Sequence, residues 1–424
     1  MGGFSRRILP CIQANSASLL FGHFGPKLKL PSRVISGTFF DKNCRIAYYK
    51  IASMAEMLLK RKPPKNEVVM DEEKMEVHDR AYKLCKEYLG GKWSELKKNE
   101  FQLSVLGGGL TNKLYICQIP KEIRDSNSKV PHTILLRLYG LIIQDFVAQI
   151  QESVVFSILS ERGVGPHLYA VFPGGRLEEY LPCQTLMTKD LHDQALSRHI
   201  AKQMAIYHKL VMPVKKEPTC IMSRLQLYYE TAVHMKFDDH NNTKLLNLLR
   251  EYDLENELKY IKKLVADTDS PVVFCHNDVQ EGNLLHMDNT MNPVQMIDFE
   301  YSGYNYRGFD IGNHFCEWAY DYSYSEWPFY LYKDEDYPTK EQQINFIQSY
   351  IREYFSTNSS HSQSDEKWQV DFMIKEANRF ALLSHFFWAM WSVVQAKMSD
   401  ISFGYMEYAH SRMDHYFKQK AEIE

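Results

Sequence analysis

Two stretches hold the residues best suited to chemistry. In Val272-Val-Phe-Cys-His-Asn-Asp-Val-Gln-Glu-Gly-Asn-Leu-Leu285 an apolar run ends at His276 and Asp278, and an amide follows at Asn283. In Met296-Ile-Asp-Phe-Glu-Tyr301 a second apolar run ends in Asp298, with Glu300 two residues on. One carboxylate able to take a proton, beside two oxygen donors able to hold a divalent cation, is what Mg²⁺-dependent phosphoryl transfer asks for. Asp278 is therefore expected to accept the proton of an attacking hydroxyl and Asn283 and Asp298 to hold Mg²⁺. Glu300 would assist the metal directly or through water. His276 is expected to bond the loop into shape and to take no part in chemistry.

Gly107-Gly108-Gly109 could serve three kinds of phosphate-binding loop, and the flanking elements choose among them. A Walker loop or a Rossmann turn opens a helix, whereas here the alternating segment Leu114 to Ile119 follows. A hairpin loop folded over nucleotide phosphates fits that order, although a plain hairpin turn would use the same glycines. Arg137 sits in the apolar run Ile134-Leu-Leu-Arg-Leu-Tyr139, where a guanidinium is costly unless an anion meets it. Glu152 is the expected partner, the pair aiming Arg137 at ATP phosphates. A surface Arg and a solvated Glu are the alternative.

The elements that must position these groups follow from periodicity. Alternation predicts strands on both sides of the glycine cluster (101–119) and at 133–139, 168–172, 272–275 and 295–299, with 176–182 extended. Helical spacing appears at 77–88, 144–161, 191–212, 225–233, 244–265, 342–355, 368–396 and 405–418, with a Ser-rich polar break at 356–367. The expected organisation is a variable basic extension over 1–75, a sheet-rich nucleotide-binding lobe over 76–182 and a mostly helical catalytic lobe over 183–424. In the extension no acidic residue precedes Asp41, while Arg6, Arg7, Lys27, Lys29 and Arg33 accumulate. That composition is shared by organelle transit peptides, yet no convincing amphipathic helix accompanies it.

Composition narrows the partners. With 424 residues, 45% apolar, the chain can build two cores, and 50 Lys+Arg against 53 Asp+Glu leave no global pull toward nucleic acid or an anionic membrane. The longest apolar run, Phe380 to Val394, is broken by Ser384 and His385 and falls short of the roughly 20 residues a bilayer span needs. No membrane span is expected. The 8 cysteines form no C-x-x-C pair, which fits reduced thiols in a cytoplasmic protein and a metal held by oxygen.

Cys275-His-Asn-Asp-Val-Gln-Glu-Gly-Asn283, Ile297-Asp-Phe-Glu-Tyr-Ser302 and Asn305-Tyr-Arg-Gly-Phe-Asp-Ile-Gly-Asn-His-Phe-Cys-Glu-Trp318 resemble the signature of eukaryotic choline kinases, in the choline/ethanolamine kinase family. Leu106-Gly-Gly-Gly-Leu-Thr-Asn112, Leu135-Leu-Arg-Leu-Tyr-Gly140 and Gly174-Gly-Arg-Leu-Glu-Glu-Tyr-Leu-Pro182 stand in family order. The resemblance runs from about residue 76 to the C-terminus and implies an α+β, two-lobed, protein-kinase-like fold. It also implies ATP and Mg²⁺, phosphorylation of choline in the first step of the CDP-choline route to phosphatidylcholine, and a homodimer. Gly107, Gly108, Gly109, Thr111 and Asn112 would meet the nucleotide, and the backbone of Glu179 and Leu181 would meet its adenine. Position 179 is often Gln in the family, a departure that leaves the backbone contact intact. Asp-Phe-Glu in place of Asp-Phe-Gly disfavours a protein substrate, and Gln280-Glu-Gly-Asn resembles the choline enzymes more than the ethanolamine enzymes.

A quaternary ammonium is best received by aromatic faces with a carboxylate nearby. Trp388 and Trp391 share a helix face, Tyr322 follows Trp318, Tyr408 lies on the last helix, and Glu317 could balance the charge. An aromatic stripe at such spacing can equally be core. The resemblance implies Gln280, Tyr301, Glu317, Tyr322, Trp388, Trp391 and Tyr408 as choline-binding residues. An ethanolamine or broader amino-alcohol kinase, or a choline-binding pseudokinase, would read similarly.

Overall fold

The computed structural model describes residues 77–106, 112–125, 130–139, 146–287, 292–356, 363–399 and 401–424. Gly107, Gly108, Gly109, Thr111, the side chain of Asn112 and the basic extension lie outside the described residues. The chain divides after Pro182 into two compact units.

Alternating hydrophobicity builds the first unit. Strands β1 (Gln102–Leu106), β2 (Asn112–Gln118), β3 (Thr133–Tyr139), β4 (Leu168–Phe172) and β5 (Gly175–Glu179) form one antiparallel sheet in the order β1-β2-β3-β5-β4. One face buries Cys117, Ile134, Leu136 and Leu177 with Ala81 and Cys85 of α1 (Val77–Tyr88) and with Trp93 and Phe101. With a period of two, the residues between these, Arg137, Arg176 and Glu178, point to the opposite face. Helix α2 (Phe146–Glu161) brings Glu152 and Phe156 to that face.

The second unit is mostly helical: α3 (Gln194–His208), α4 (Cys220–Val233), α5 (His240–Leu249), α6 (Leu254–Ala266), α7 (Arg307–Glu317), α8 (Lys340–Tyr354), α9 (Gln363–Met398) and α10 (Tyr405–Ile423). Short antiparallel pairs interrupt it: β6 (Val272–Cys275) with β9 (Gly303–Tyr306), and β7 (Leu284–His286) with β8 (Val294–Met296). The α+β class is the one expected from the sequence. Helix α7 and strands β7 and β9 were not among the expected elements, and two expected elements differ. The predicted helix over 244–265 is two helices, because Asp239 and Asp253 each cap a new N-terminus, accepting from Asn242 N at 2.7 Å and Asn256 N at 3.2 Å. The strand predicted to reach Phe299 stops at Met296, since Asp298 takes a positive φ of 62° that no ladder tolerates.

Every residue of α7 is buried, and α7 packs directly on α9. Gly308 and Gly312 make the approach possible: a Cβ at Gly312 would stand 2.4 Å from the Ala377 carbonyl oxygen and 2.8 Å from the Ala381 nitrogen. A buried clamp fixes the same seam, with Arg307 Nη2 2.5 Å from Glu376 Oε2. Backbone cannot yield as a side-chain tip can, so Gly312→Ala should destabilise by about 2 kcal/mol and lower Tm by roughly 5 °C. Calorimetry of the purified variant checks this; an unchanged Tm would mean the helices separate at no cost.

Candidate active site

The segment between β6 and β7 carries Asp278 and Asn283, and the segment after β8 carries Asp298. Pairing of β7 with β8 brings the two together: Leu284 lies opposite Met296, and Ile297 N–H donates to the Asn283 carbonyl at 3.0 Å. The Asn283 amide donates to both the backbone oxygen and Oδ2 of Asp278, each at 2.9 Å. Its own Oδ1 therefore points away from Asp278 as an oxygen donor. His276 Nε2 bonds the Ile297 carbonyl at 2.9 Å, tying the two segments, which is the scaffold role expected of it.

Strain at this turn is held by Asp310 on α7. Its carboxylate accepts from His276 N at 2.8 Å and Asn277 N at 2.6 Å, and it meets His208 Nε2 at 2.9 Å. Asn277 has φ 68°, so the residue before Asp278 sits in left-handed space. Its side chain is bound by the Tyr301 carbonyl and by Asn305. His208, Cys275 and Asp310 also cluster as metal ligands would, but the hydrogen bonds of Asp310 to the loop account for the carboxylate.

Negative charge accumulates around Asp278. Burial, then the carboxylates of Glu317 and Asp298, push its carboxyl well above the usual range. Glu281 is raised likewise by burial and by Glu317, Asp321 and Asp278, and its buried Oε2 has no hydrogen-bond partner among the described residues. Such a group favours a cation, and an oxygen-only donor set of Asn283, Asp298 and Glu300 suits Mg²⁺. The Gln280 side-chain oxygen accepts from Gly282 N at 2.8 Å, so it shapes the loop.

The aromatic residues fall into two groups joined by others. Tyr301 meets Trp388 (centroids 5.4 Å) and Trp388 meets Trp391 (5.3 Å). Tyr322 and Tyr408 share a hydroxyl contact at 2.6 Å, and Tyr322 donates to Glu317 at 2.8 Å. Tyr405 and Phe403 bridge the groups. Arg224 lies 4.7 Å over the Tyr301 ring. Arg412 ion-pairs with Glu317. Sequence reasoning missed Arg224, Asp310 and Arg412; the only signal for the last was an Arg four residues after Tyr408 in an otherwise apolar helix face.

In the first unit the predicted Arg137–Glu152 pair is corrected. Glu152 accepts from Arg176 Nη1 at 2.6 Å, while Arg137 Nε approaches Glu178 at 3.3 Å and Arg176 Nε also bonds Glu178. The reason is register: Arg137 and Arg176 lie directly opposite across β3 and β5, so two like charges share one buried face and need both carboxylates. The alternation of Arg176 and Glu178 around Leu177 was the legible clue. Glu179 commits its N–H and its carboxylate to His167.

A choline/ethanolamine kinase family profile matches residues 103–417. A choline/ethanolamine kinase of Rattus norvegicus is 46% identical over 81% of this chain and 86% of its own length. Choline kinase alpha of Mus musculus is 42% identical, with 81% of each chain covered. A solved choline kinase from Cryptosporidium parvum superposes with TM-score 0.63 at 30% identity, covering 81% of this chain and 96% of that one. The fold is the protein-kinase-like one of these structures.

One further contact supports the loop. The Trp318 indole, which only donates, occupies His314 Nε2 at 3.1 Å, so Nδ1–H must donate to the Val279 carbonyl at 2.9 Å. Burial pushes the His314 pKa down to about 4. The unfolded chain takes up this proton near pH 6.5, so between that value and about 4 it binds more protons than the folded chain. Stability contributed here is complete above pH 6.5 and is lost as pH falls toward 4, a difference of roughly 3 kcal/mol. His314→Gln should flatten the fall in urea stability between pH 7 and 4. Parallel profiles for the two proteins would show that this imidazole is not held neutral.

Proposed function

The chain belongs to the choline/ethanolamine kinase family, and we propose that it transfers the γ-phosphoryl group of ATP to the hydroxyl of choline, giving phosphocholine and ADP. The observation that carries the reading is the pairing of two chain segments in one unit, which sets Asp278, Asn283 and Asp298 side by side.

Asp278 takes the hydroxyl proton as the oxygen attacks the γ-phosphorus and the bond to the β-phosphate oxygen breaks, ADP departing with those electrons. The raised affinity of Asp278 for a proton suits an acceptor of that kind. Asn283 and Asp298, with Glu300 behind them, would hold Mg²⁺, which when bound offsets the charge of the β- and γ-phosphates. Arg137 is assigned to the phosphates as well, with Glu178 rather than Glu152 fixing its direction and Glu152 acting through Arg176. The glycine loop with Thr111 and Asn112, and the backbone of Glu179 and Leu181, are assigned to the nucleotide. Tyr301, Tyr322, Trp388, Trp391 and Tyr408 are assigned to the ammonium, with Glu317, and Gln280 to the substrate side of the loop. Family likeness extends the reading to the CDP-choline route, a homodimer and a cytoplasmic setting. No helix among the described residues is long and apolar enough to cross a membrane.

An ethanolamine or broader amino-alcohol kinase would use the same loop, and the relatives include both names. A silent choline-binding protein is disfavoured by the joint presence of Asp278, Asn283 and Asp298. ADP release measured across choline, ethanolamine and their methylated intermediates separates these readings. Choline with Mg²⁺ should give the highest kcat/KM, and absence of turnover with every amino alcohol would end the proposal. Asp278→Ala should lower kcat at least about 10³-fold with an unchanged circular dichroism spectrum. Near-normal turnover would remove the proton-acceptor role.

A further inference from the structure

Arg412 on α10 has no exposed surface, and its guanidinium stacks 4.1 Å from the centroid of the Tyr320 ring. It pairs with Glu317, the carboxylate otherwise assigned to balance a ligand's positive charge. An arginine can only donate and a carboxylate can only accept, so the direction of every bond between them is fixed. Arg412 Nε donates to the Tyr408 hydroxyl at 2.8 Å, and Nη2 donates to it as well. Both acceptor sides of that oxygen are then filled, and Tyr408 O–H must donate onward to Tyr322, 2.6 Å away. Tyr322 also has Arg412 Nη2 at 3.3 Å, and it donates to Glu317 Oε2 at 2.8 Å. Glu317 Oε1 receives Arg412 Nη2, closing the ring.

The ring has two consequences for a cation. Its net charge is zero, and both phenol hydroxyls are turned into it, so the tyrosines keep chiefly their ring faces for a ligand. A primary ammonium brings three N–H groups, each of which must find an acceptor on leaving water or stay unsatisfied. A trimethylammonium brings none and is held by ring faces alone. We propose that the closed network of Arg412, Tyr408, Tyr322 and Glu317 selects quaternary over primary ammonium groups, with Arg412 as the positioning residue that turns both phenol hydroxyls and the Glu317 carboxylate into the network. This inference rests on the amino-alcohol kinase reading and adds the physical source of its selectivity.

The test compares kcat/KM for choline and for ethanolamine in the full-length wild type, Tyr322→Phe and Tyr408→Phe, with KM for ATP measured alongside. Each variant keeps its ring and deletes one hydroxyl: Tyr322→Phe uncovers Glu317 Oε2, and Tyr408→Phe uncovers an acceptor side of the Tyr322 oxygen. The choline-to-ethanolamine ratio should fall at least tenfold in each folded variant, with KM for ATP unchanged. A merely structural role would lower both substrates in proportion, and a proportional loss or an unchanged ratio overturns the inference. Equal kcat/KM for the two substrates in the wild type also overturns it while leaving the kinase reading standing. Turnover of neither by the wild type overturns that reading itself.

Discussion

The second unit turns on one buried carboxylate. Asp310 has no exposed surface, and a charge in such a place is tolerated only when donors surround it. Burial opposes its ionisation, yet the bonds from His208 and the His276 backbone outweigh that and hold it below the usual carboxylate range. The benefit runs the other way as well. Two consecutive backbone N–H groups at the end of β6 have no strand to pair with, and Asp310 gives both an acceptor. Asn277 can therefore stay at a positive φ, and the next residue, Asp278, leaves the strand at an angle that a continuing ladder would forbid. Remove the carboxylate and the turn has neither its hydrogen bonds nor a reason for its shape.

The two units handle charge in opposite ways. In the first, Arg137 and Arg176 are matched by Glu178 and Glu152, so the four buried groups balance one another and act as structure with a fixed direction. In the second, Asp278, Asp298, Glu281 and Glu317 crowd together, with the buried cation Arg412 against Glu317. Burial first, and that crowding after it, raise the Asp278 and Glu281 carboxyls. A site built this way is poor at holding itself together and well suited to a cation, which is the usual division between groups that stabilise a fold and groups that serve a reaction.

Much of this was legible because local rules suffice for it. Alternation located β3 and β4 to the residue, and the helix over 77–88 ends where Gly90 and Gly91 follow. Asp278 and Asn283 could be read together because one turn fixes their spacing. What failed was pairing at a distance. Nothing near Arg137 says that Arg176, 39 positions later, will face it across the sheet, and that register decided which glutamate each guanidinium met. Asp310 escaped for the same reason, since its partners lie 33 and 34 positions away and an aspartate in a helix reads as solvated until its neighbours are known.

Helix α7 shows how one element can serve several groups at once. Asp310, Asn313, His314 and Glu317 fall at the spacing that normally marks the apolar stripe of an amphipathic helix, yet all four are polar and all are buried. Each holds something different. Asp310 takes the loop backbone and His314 the Val279 carbonyl, while Asn313 accepts the Trp388 indole at 2.7 Å and Glu317 the Tyr322 hydroxyl. The loop that carries Asp278 and the aromatic residues are thereby referred to a single rigid body, so their spacing does not depend on how loops settle. The opposite requirement, that a helix with no exposed face still pack tightly, is met by Gly308 and Gly312 against α9. This also explains why Trp388 and Trp391 differ although they share a helix face: the first has its N–H bound by Asn313, while the second keeps an indole nitrogen with no partner among the described residues. Spacing alone made them equivalent; the polar stripe of α7 fixes the orientation of the Trp388 indole and makes no such bond to Trp391.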